Sequence, residues 1–256
     1  MRANHKPVSN TAPFQTPPSL DIDRHALFLD LDGTLLEIAD RPHAVVVSAE
    51  LRQLLRDLSR TLSGAVAVIT GRTIRDADQL LEGAVPFISG VHGYELQRGQ
   101  HITRDAALVR QLSAARADLS ELLRQHQSPA LIEDKGASIA LHYRHAPEAE
   151  SAVRSLAAHI AKSRNLRLLQ GKMVVELIAS ARTKGHALTV LMAQPPFSGR
   201  LPIAIGDDRT DEDAFTAAER LGGWGVRVGE ATNSAARYML ANPSTVAAWL
   251  RSGIGA

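Results

Sequence analysis

The sequence contains no cysteine. Disulfides, thiolate metal sites and a cysteine nucleophile are therefore excluded. Aromatic residues make up only 4% of the 256 positions, too few for a base-stacking platform to be the default reading. No apolar run approaches the ~18–20 residues that span a bilayer, so no membrane association is expected. An excess of one charge is missing too. The formal net charge is +2, and the pI of about 9.1 reflects a slight surplus of base that gives little support for nucleic-acid binding. Lysine is scarce, limited to Lys6, Lys135, Lys162, Lys172 and Lys184. Three of these adjoin glycine, as Lys135-Gly136, Gly171-Lys172 and Lys184-Gly185. Glycine lets backbone approach a ligand closely, and a compact ammonium suits phosphate or sugar oxygens. Gly-Lys pairs also occur in plain turns.

What remains is an ordinary globular composition, 45% hydrophobic and 22% charged, long enough for one large domain or two smaller ones. Residues 1–24 are polar and carry Pro7, Pro13, Pro17 and Pro18, without the apolar segment of a secretory signal. They read as a flexible N-terminal tail. The missing export signal and the missing cysteine together favour a cytoplasmic setting.

The chain is organised around Leu27-Phe28-Leu29-Asp30-Leu31-Asp32-Gly33-Thr34. A short apolar run reads as a buried strand up to Leu29 and ends in two carboxylates. An unpaired buried carboxylate is costly, so the pair points to a cation, to catalysis, or to both. A strand followed by an ordinary Asp-Gly turn is the plainer alternative. Ser48 can cap a helix whose apolar face is Leu51, Leu54, Leu55, Leu58 and Leu62. Ala65 to Ile69 is a second buried strand, ending at Thr70-Gly71-Arg72; a helix with Ile74, Ala77, Leu80 and Leu81 inward and a strand at Phe87-Ile88 follow. Strand–helix alternation implies an α/β fold with a parallel sheet and right-handed crossovers. Ligands of such sheets bind beyond the carboxyl ends of the strands, where Asp30, Asp32 and Thr70 fall.

From residue 99 to 181 the pattern changes. Helix–strand–turn–strand is expected twice: a helix over 106–125 with strands 130–133 and 137–144, then a helix opened by Pro147 with strands 166–169 and 173–178. This reads as a two-layer α+β insert of four strands covered on one face by two helices. Alternation puts Ser138, Ala140, His142 and Arg144 on one side, and Lys172, Val174 and Glu176 on one side of the second hairpin. Read from the residues alone, a solvated face with offsetting charges is the plainer account of this. After residue 182 the first pattern returns. Lys184 sits near a helix start, a good anion site or simply a surface position. The buried strand Leu201–Gly206 runs into Asp207-Asp208-Arg209-Thr210-Asp211-Glu212-Asp213. Five carboxylates in seven residues repel unless a cation compensates. Capping of the next helix explains the last three and leaves Asp207 and Asp208 unaccounted for.

Asp-Leu-Asp-Gly-Thr-Leu at 30–35, Thr70, Lys184 and the acidic cluster, in that order, resemble the four motifs of the haloacid-dehalogenase-like superfamily. Gly206-Asp207-Asp208-x-Thr210-Asp211-Glu212 is narrower and is similar to the trehalose-6-phosphate phosphatases. Gly90-Val91-His92-Gly93-Tyr94-Glu95, Ala140-Leu141-His142-Tyr143-Arg144 and Gly171-Lys172-Met173-Val174-Val175-Glu176 agree. The resemblance implies a Rossmannoid core, residues 25–98 and 182–256, carrying a cap domain, 99–181. It implies Asp30 as nucleophile, Asp32 as general acid and base, and Thr70 and Lys184 as stabilisers of phosphate charge. Mg2+ would be held by Asp30, the Asp32 carbonyl and Asp207, with Asp208 and Asp211 orienting Lys184 or the metal's waters. Gly33, Gly71, Arg72, His92, Gly93, Glu95, Lys135, His142, Arg144, Lys172 and Glu176 are the expected substrate contacts. The implied reaction is Mg-dependent hydrolysis of trehalose 6-phosphate through an aspartyl-phosphate, by a monomer linked in function to a trehalose-phosphate synthase. A sucrose-phosphate or other sugar phosphatase, a phosphosugar mutase and a non-catalytic sugar-phosphate sensor are the alternatives.

Overall fold

The computed structural model describes residues 15–37, 46–104, 106–134, 136, 138–171, 173–179, 183–231 and 233–255. Its central strand is β1 (His25–Leu29), buried at every position. On one side lie β2 (Val66–Ile69) and β3 (Phe87–Gly90), and on the other β10 (Leu201–Gly206), β11 (Trp224–Val228) and β12 (Tyr238–Leu240), all parallel to β1. The antiparallel strands β4 (Glu95–Arg98) and β5 (His101–Arg104) extend the β3 edge to eight strands. The chain winds outward from β1 in one direction and later from β10 in the other, so β1 and β10 flank the reversal of strand order. In such a sheet the crevice opens at the carboxyl ends of those two strands.

The helices α1 (Ala49–Thr61), α2 (Ile74–Leu81), α5 (Lys184–Met192), α6 (Glu212–Arg220) and α7 (Pro243–Gly253) belong to this sheet. Their starts follow from local chemistry. Ser48, Thr73, Thr183 and Asn242 each accept a hydrogen bond from the backbone N–H three residues on, at 3.0–3.2 Å. One apolar core runs through β1, β2, β10 and these helices, with Phe28, Phe197, Leu55, Leu58 and Phe215 among its buried side chains.

The insert has its own four-stranded sheet, ordered β6 (Leu131–Asp134), β7 (Ser138–His142), β9 (Val174–Ala179), β8 (Leu166–Gly171) and antiparallel throughout. The helices α3 (Ala106–Gln125) and α4 (Glu150–Ser163) close a second core on one face, burying Ile139, Leu141, Tyr143, Val175 and Leu177. Pro147 opens a short 3-10 turn, 147–149, and α4 begins after it. No described helix is long and apolar enough to cross a membrane.

Two expectations are corrected, and one strand is new. β5 pairs with β4 in the large sheet, so residues 101–104 leave the insert, which starts later than residue 99. All four residues of β5 are exposed, and an edge strand without a buried face leaves no alternation to read. β12 is likewise unanticipated; two half-buried residues and the buried Leu240 are too short a run to carry a periodic signal. Residues 15–24 are not a free tail. Leu20 is buried against the large core, Trp249 Nε1 donates to the Pro18 carbonyl at 3.0 Å, and Gln15 bridges to Tyr238. Residues 1–14 lie outside the described residues.

Candidate active site

Asp30 follows β1 and Asp207 follows β10, two adjacent strand ends. Lys184 is the first residue of α5, and Asp211 directly precedes α6. These elements converge. Lys184 Nζ donates to Asp30 Oδ1 and to Asp211 Oδ1, each at 2.7 Å, with all three side chains buried. Carboxylate oxygens of Asp30, Asp207 and Asp211 lie within 4.8 Å of one another. One ammonium against three carboxylates leaves the cluster short of positive charge. Burial pushes the Asp30 carboxyl well above the usual carboxylate range, against the pull of Lys184. Asp211 is pushed up to about 6 for the same reason, again opposed by Lys184. Asp207 rises through burial, partly offset by its hydrogen bond from Thr34. At Lys184 burial works against the charge, but Asp30 and Asp211 outweigh it and raise its pKa.

Backbone detail makes the convergence possible. Gly33 turns the chain at φ +79°, and a Cβ there would sit 2.1 Å from Asp207 Oδ2. A Cβ on Gly206 would come within 2.1 Å of the Asp211 carboxyl carbon. Thr34, fully buried, donates from Oγ1 to Asp207 Oδ1 at 3.2 Å. Asp208 folds back on its own loop, its Oδ1 accepting from the Thr210 amide and hydroxyl at 2.7 Å. Although its burial raises the pKa, these hydrogen bonds and Lys184 bring it below the usual value. The Asp208 amide donates to Asp211 Oδ2 at 3.1 Å.

Asp32 points to a different partner. Its two oxygens accept from Arg72 Nε and Nη2, both at 2.6 Å, a bidentate pair. That hydrogen bond is the main reason the Arg72 guanidinium pKa is raised. Arg72 follows the bend at Gly71, and its amide donates to the buried Thr70 Oγ1 at 3.1 Å. Its carbonyl accepts from Val91 N at 2.9 Å, in the short turn Val91–Gly93 that contains His92. A Cβ on Gly93 would lie 3.0 Å from the Thr183 carbonyl, which shows how closely this turn meets the start of α5.

The expected sugar contacts divide. His142 and Glu176 lie on the open face of the insert's sheet, opposite its helices. Glu176 accepts a hydrogen bond from Ser138 Oγ. Arg144 falls past the end of β7, in an exposed turn. Lys135 and Lys172 lie outside the described residues. Glu95 is spent on the fold: Oε2 accepts from Ile74 N at 3.1 Å and Oε1 from Arg104 Nε at 2.7 Å. A cleft of about 710 Å³ runs between the open face, at Arg167, Leu169 and Ile178, and Lys184, Thr183 and Thr210.

Two polar residues of the site were not singled out in the sequence. Thr34 hid inside the Asp-Gly-Thr turn. Glu133, whose Oε2 is 2.7 Å from His142 Nε2, shows its face only through the β6–β7 register.

A parallel sheet whose neighbouring strand ends present a buried Asp30 and a half-buried Asp207, beside a lysine from a later helix, has the haloacid-dehalogenase-like fold. A profile of the trehalose-phosphatase family matches residues 28–244. The chain is 41% identical to a probable trehalose-phosphate phosphatase of Sinorhizobium fredii, over 84% of this chain and 82% of that protein. It is 38% identical to the trehalose-6-phosphate phosphatase of Escherichia coli, over 94% and 90%. The crystal structure of a trehalose-6-phosphate phosphatase related protein superimposes with a TM-score of 0.68 at 25% identity, over 90% of this chain and 97% of that one. The Aspergillus fumigatus trehalose-6-phosphate phosphatase shares the fold, with a TM-score of 0.70 at 21% identity over 93% and 98%. The chain belongs to the trehalose-phosphatase family.

Proposed function

We propose that this chain hydrolyses trehalose 6-phosphate to trehalose and inorganic phosphate, with Mg2+ and through an aspartyl-phosphate on Asp30. The observation that carries the reading is the buried ammonium of Lys184, held 2.7 Å from both Asp30 and Asp211 beside Asp207. The donor set fits the metal: hard carboxylate oxygens, convergent and short of positive charge, suit Mg2+. Asp30, Asp207 and the Asp32 carbonyl would hold it. Bound there, Mg2+ would offset the negative charge of the phosphate oxygens.

The rest of the chemistry belongs to the chain. An Asp30 oxygen attacks phosphorus, the bond from phosphorus to the sugar oxygen breaks, and Asp32 delivers its proton to that oxygen. Water then attacks the aspartyl-phosphate, Asp32 takes up the water's proton, and the Asp30 carboxylate is released with phosphate. Lys184 and the Thr70 hydroxyl stabilise charge on the equatorial oxygens. Gly33, Gly71, Arg72 and Gly93 serve the phosphate end of the substrate, and His92 serves the sugar. His142, Glu176, Lys135, Lys172 and Arg144 serve the disaccharide from a cap that follows the β4–β5 hairpin, over a core formed by residues 25–104 and 182–256.

The test is phosphate release across a panel of phosphosugars, sucrose phosphate included, with and without Mg2+. Trehalose 6-phosphate should be preferred, and turnover should vanish without the metal. Asp30→Asn should abolish release; near-normal turnover in that variant would rule out Asp30 as nucleophile.

A further inference from the structure

We infer that Arg227 is a positioning residue for the acidic loop 207–213, and that it sets how tightly the site holds a divalent cation; this rests on the metal-dependent reading above. The loop must bring Asp207 and Asp211 up to Asp30 against their mutual repulsion. Much of its bracing is internal, through Asp208, Thr210 and Asp211. Arg227 reaches it from the neighbouring strand. In the β10–β11 ladder Arg227 pairs with Gly206, the residue before Asp207. Its Nη1 donates to the Asp208 carbonyl at 3.0 Å and lies 3.8 Å from Glu212 Oε1.

Glu212 is itself pinned. Oε1 accepts from Ser234 Oγ at 2.8 Å and Oε2 from Ala235 N at 2.6 Å. The link therefore runs from the β11–β12 connection through Glu212 and Arg227 to the carbonyl of Asp208, the residue after Asp207. The side chain of Arg227 is 16% exposed, and its Nε is buried with no hydrogen-bond partner among the described residues. A solvent-facing arginine would avoid that desolvation cost. Carrying it places a fixed cation and a fixed donor at the Asp208 carbonyl, on the loop that presents Asp207 and Asp211 to Asp30.

The test compares wild type with Arg227→Met, Arg227→Lys and Glu212→Gln. Three quantities are measured: the Mg2+ activation constant for phosphate release from trehalose 6-phosphate, the Mg2+-induced rise in melting temperature, and KM for the sugar phosphate at saturating Mg2+. Removing the outer support of a metal ligand costs about 10- to 100-fold in metal affinity. Arg227→Met should raise the activation constant by that factor and shrink the thermal shift, with KM within about twofold of wild type. Arg227→Lys should recover part of the loss, because an ammonium can still reach one carbonyl. Wild-type Mg2+ dependence in a folded Arg227→Met protein overturns the inference. If that variant does not fold, unchanged activation constants in both Arg227→Lys and Glu212→Gln overturn it equally. A wild-type enzyme indifferent to Mg2+ would instead refute the metal-dependent reading itself.

Discussion

Asp32 sets a geometric condition on the chemistry. With both oxygens committed to Arg72, it must release at least one of them to deliver a proton to a leaving sugar oxygen. The two half-reactions then respond differently to its loss. An alkoxide leaves poorly without an acid, whereas an aryl oxide leaves without help, but both routes need Asp32 as base for the second step. Asp32→Asn should therefore slow steady-state hydrolysis of trehalose 6-phosphate by about 10²-fold or more. With an aryl phosphate the same variant should keep a burst of one equivalent of phenol before stalling, read by rapid-quench kinetics. At Gly33 the limit is space. Gly33→Ala would drive a methyl group into Asp207 Oδ2 and strain a φ of +79°, so its Mg2+ requirement should rise sharply, as a metal titration would record.

Among the elements, the β4–β5 hairpin and the insert's open sheet face divide tasks that the sequence had grouped. Glu95 caps the start of α2 and holds Arg104, so Glu95→Ala strands a buried amide and loosens the hairpin. Leaving a buried partner unsatisfied costs roughly 1–3 kcal/mol, a fall of about 3–10 °C in melting temperature by calorimetry. The KM for the sugar phosphate should change little. Glu176 stands on the open face, where Ser138 donates to it. Glu176→Ala should lower kcat/KM for the disaccharide phosphate and spare a small aryl phosphate, which does not reach the insert. Equal losses on both substrates would contradict a disaccharide-specific role.

For the molecule as a whole, the buried acids couple stability to pH and to metal. Asp211 is pushed up to about 6 in the fold, and Asp30 rises well above its ordinary value for the same reason. A carboxyl whose folded pKa exceeds its unfolded one binds its proton more tightly when folded. Its contribution to stability is therefore full below the unfolded value of ~3.9 and is lost as pH climbs through the folded value. Lys184, shifted upward, supplies its stability throughout this range. Without metal the protein should lose stability from pH 4 to pH 7, apart from other titrations. Mg2+ competes with protons for the same oxygens, so it should raise the melting temperature more at pH 7.5 than at pH 5. Calorimetry with Mg2+ and with a chelator tests both directions.

Where a stretch buries one face or all of its surface, its residues announce it. β1, β2 and β10, the face of α1, the span of α3, and the acids at the ends of β1 and β10 were legible from apolar runs closed by charged or turn residues. Burial is selective about side chains, and the position of a motif at a strand end follows from chain order alone. The exposed β5 and the short β12 carried no such signature, and residues 15–24 look like tail until Leu20 and Pro18 meet α7. Only the folded chain decided that Asp32 is held by Arg72, that Glu95 braces a helix, that Thr34 reaches Asp207, and that Arg227 stands behind the acidic loop. Each of these depends on a distance between side chains from separate elements. That distance is set by strand register and packing, and no local pattern encodes it.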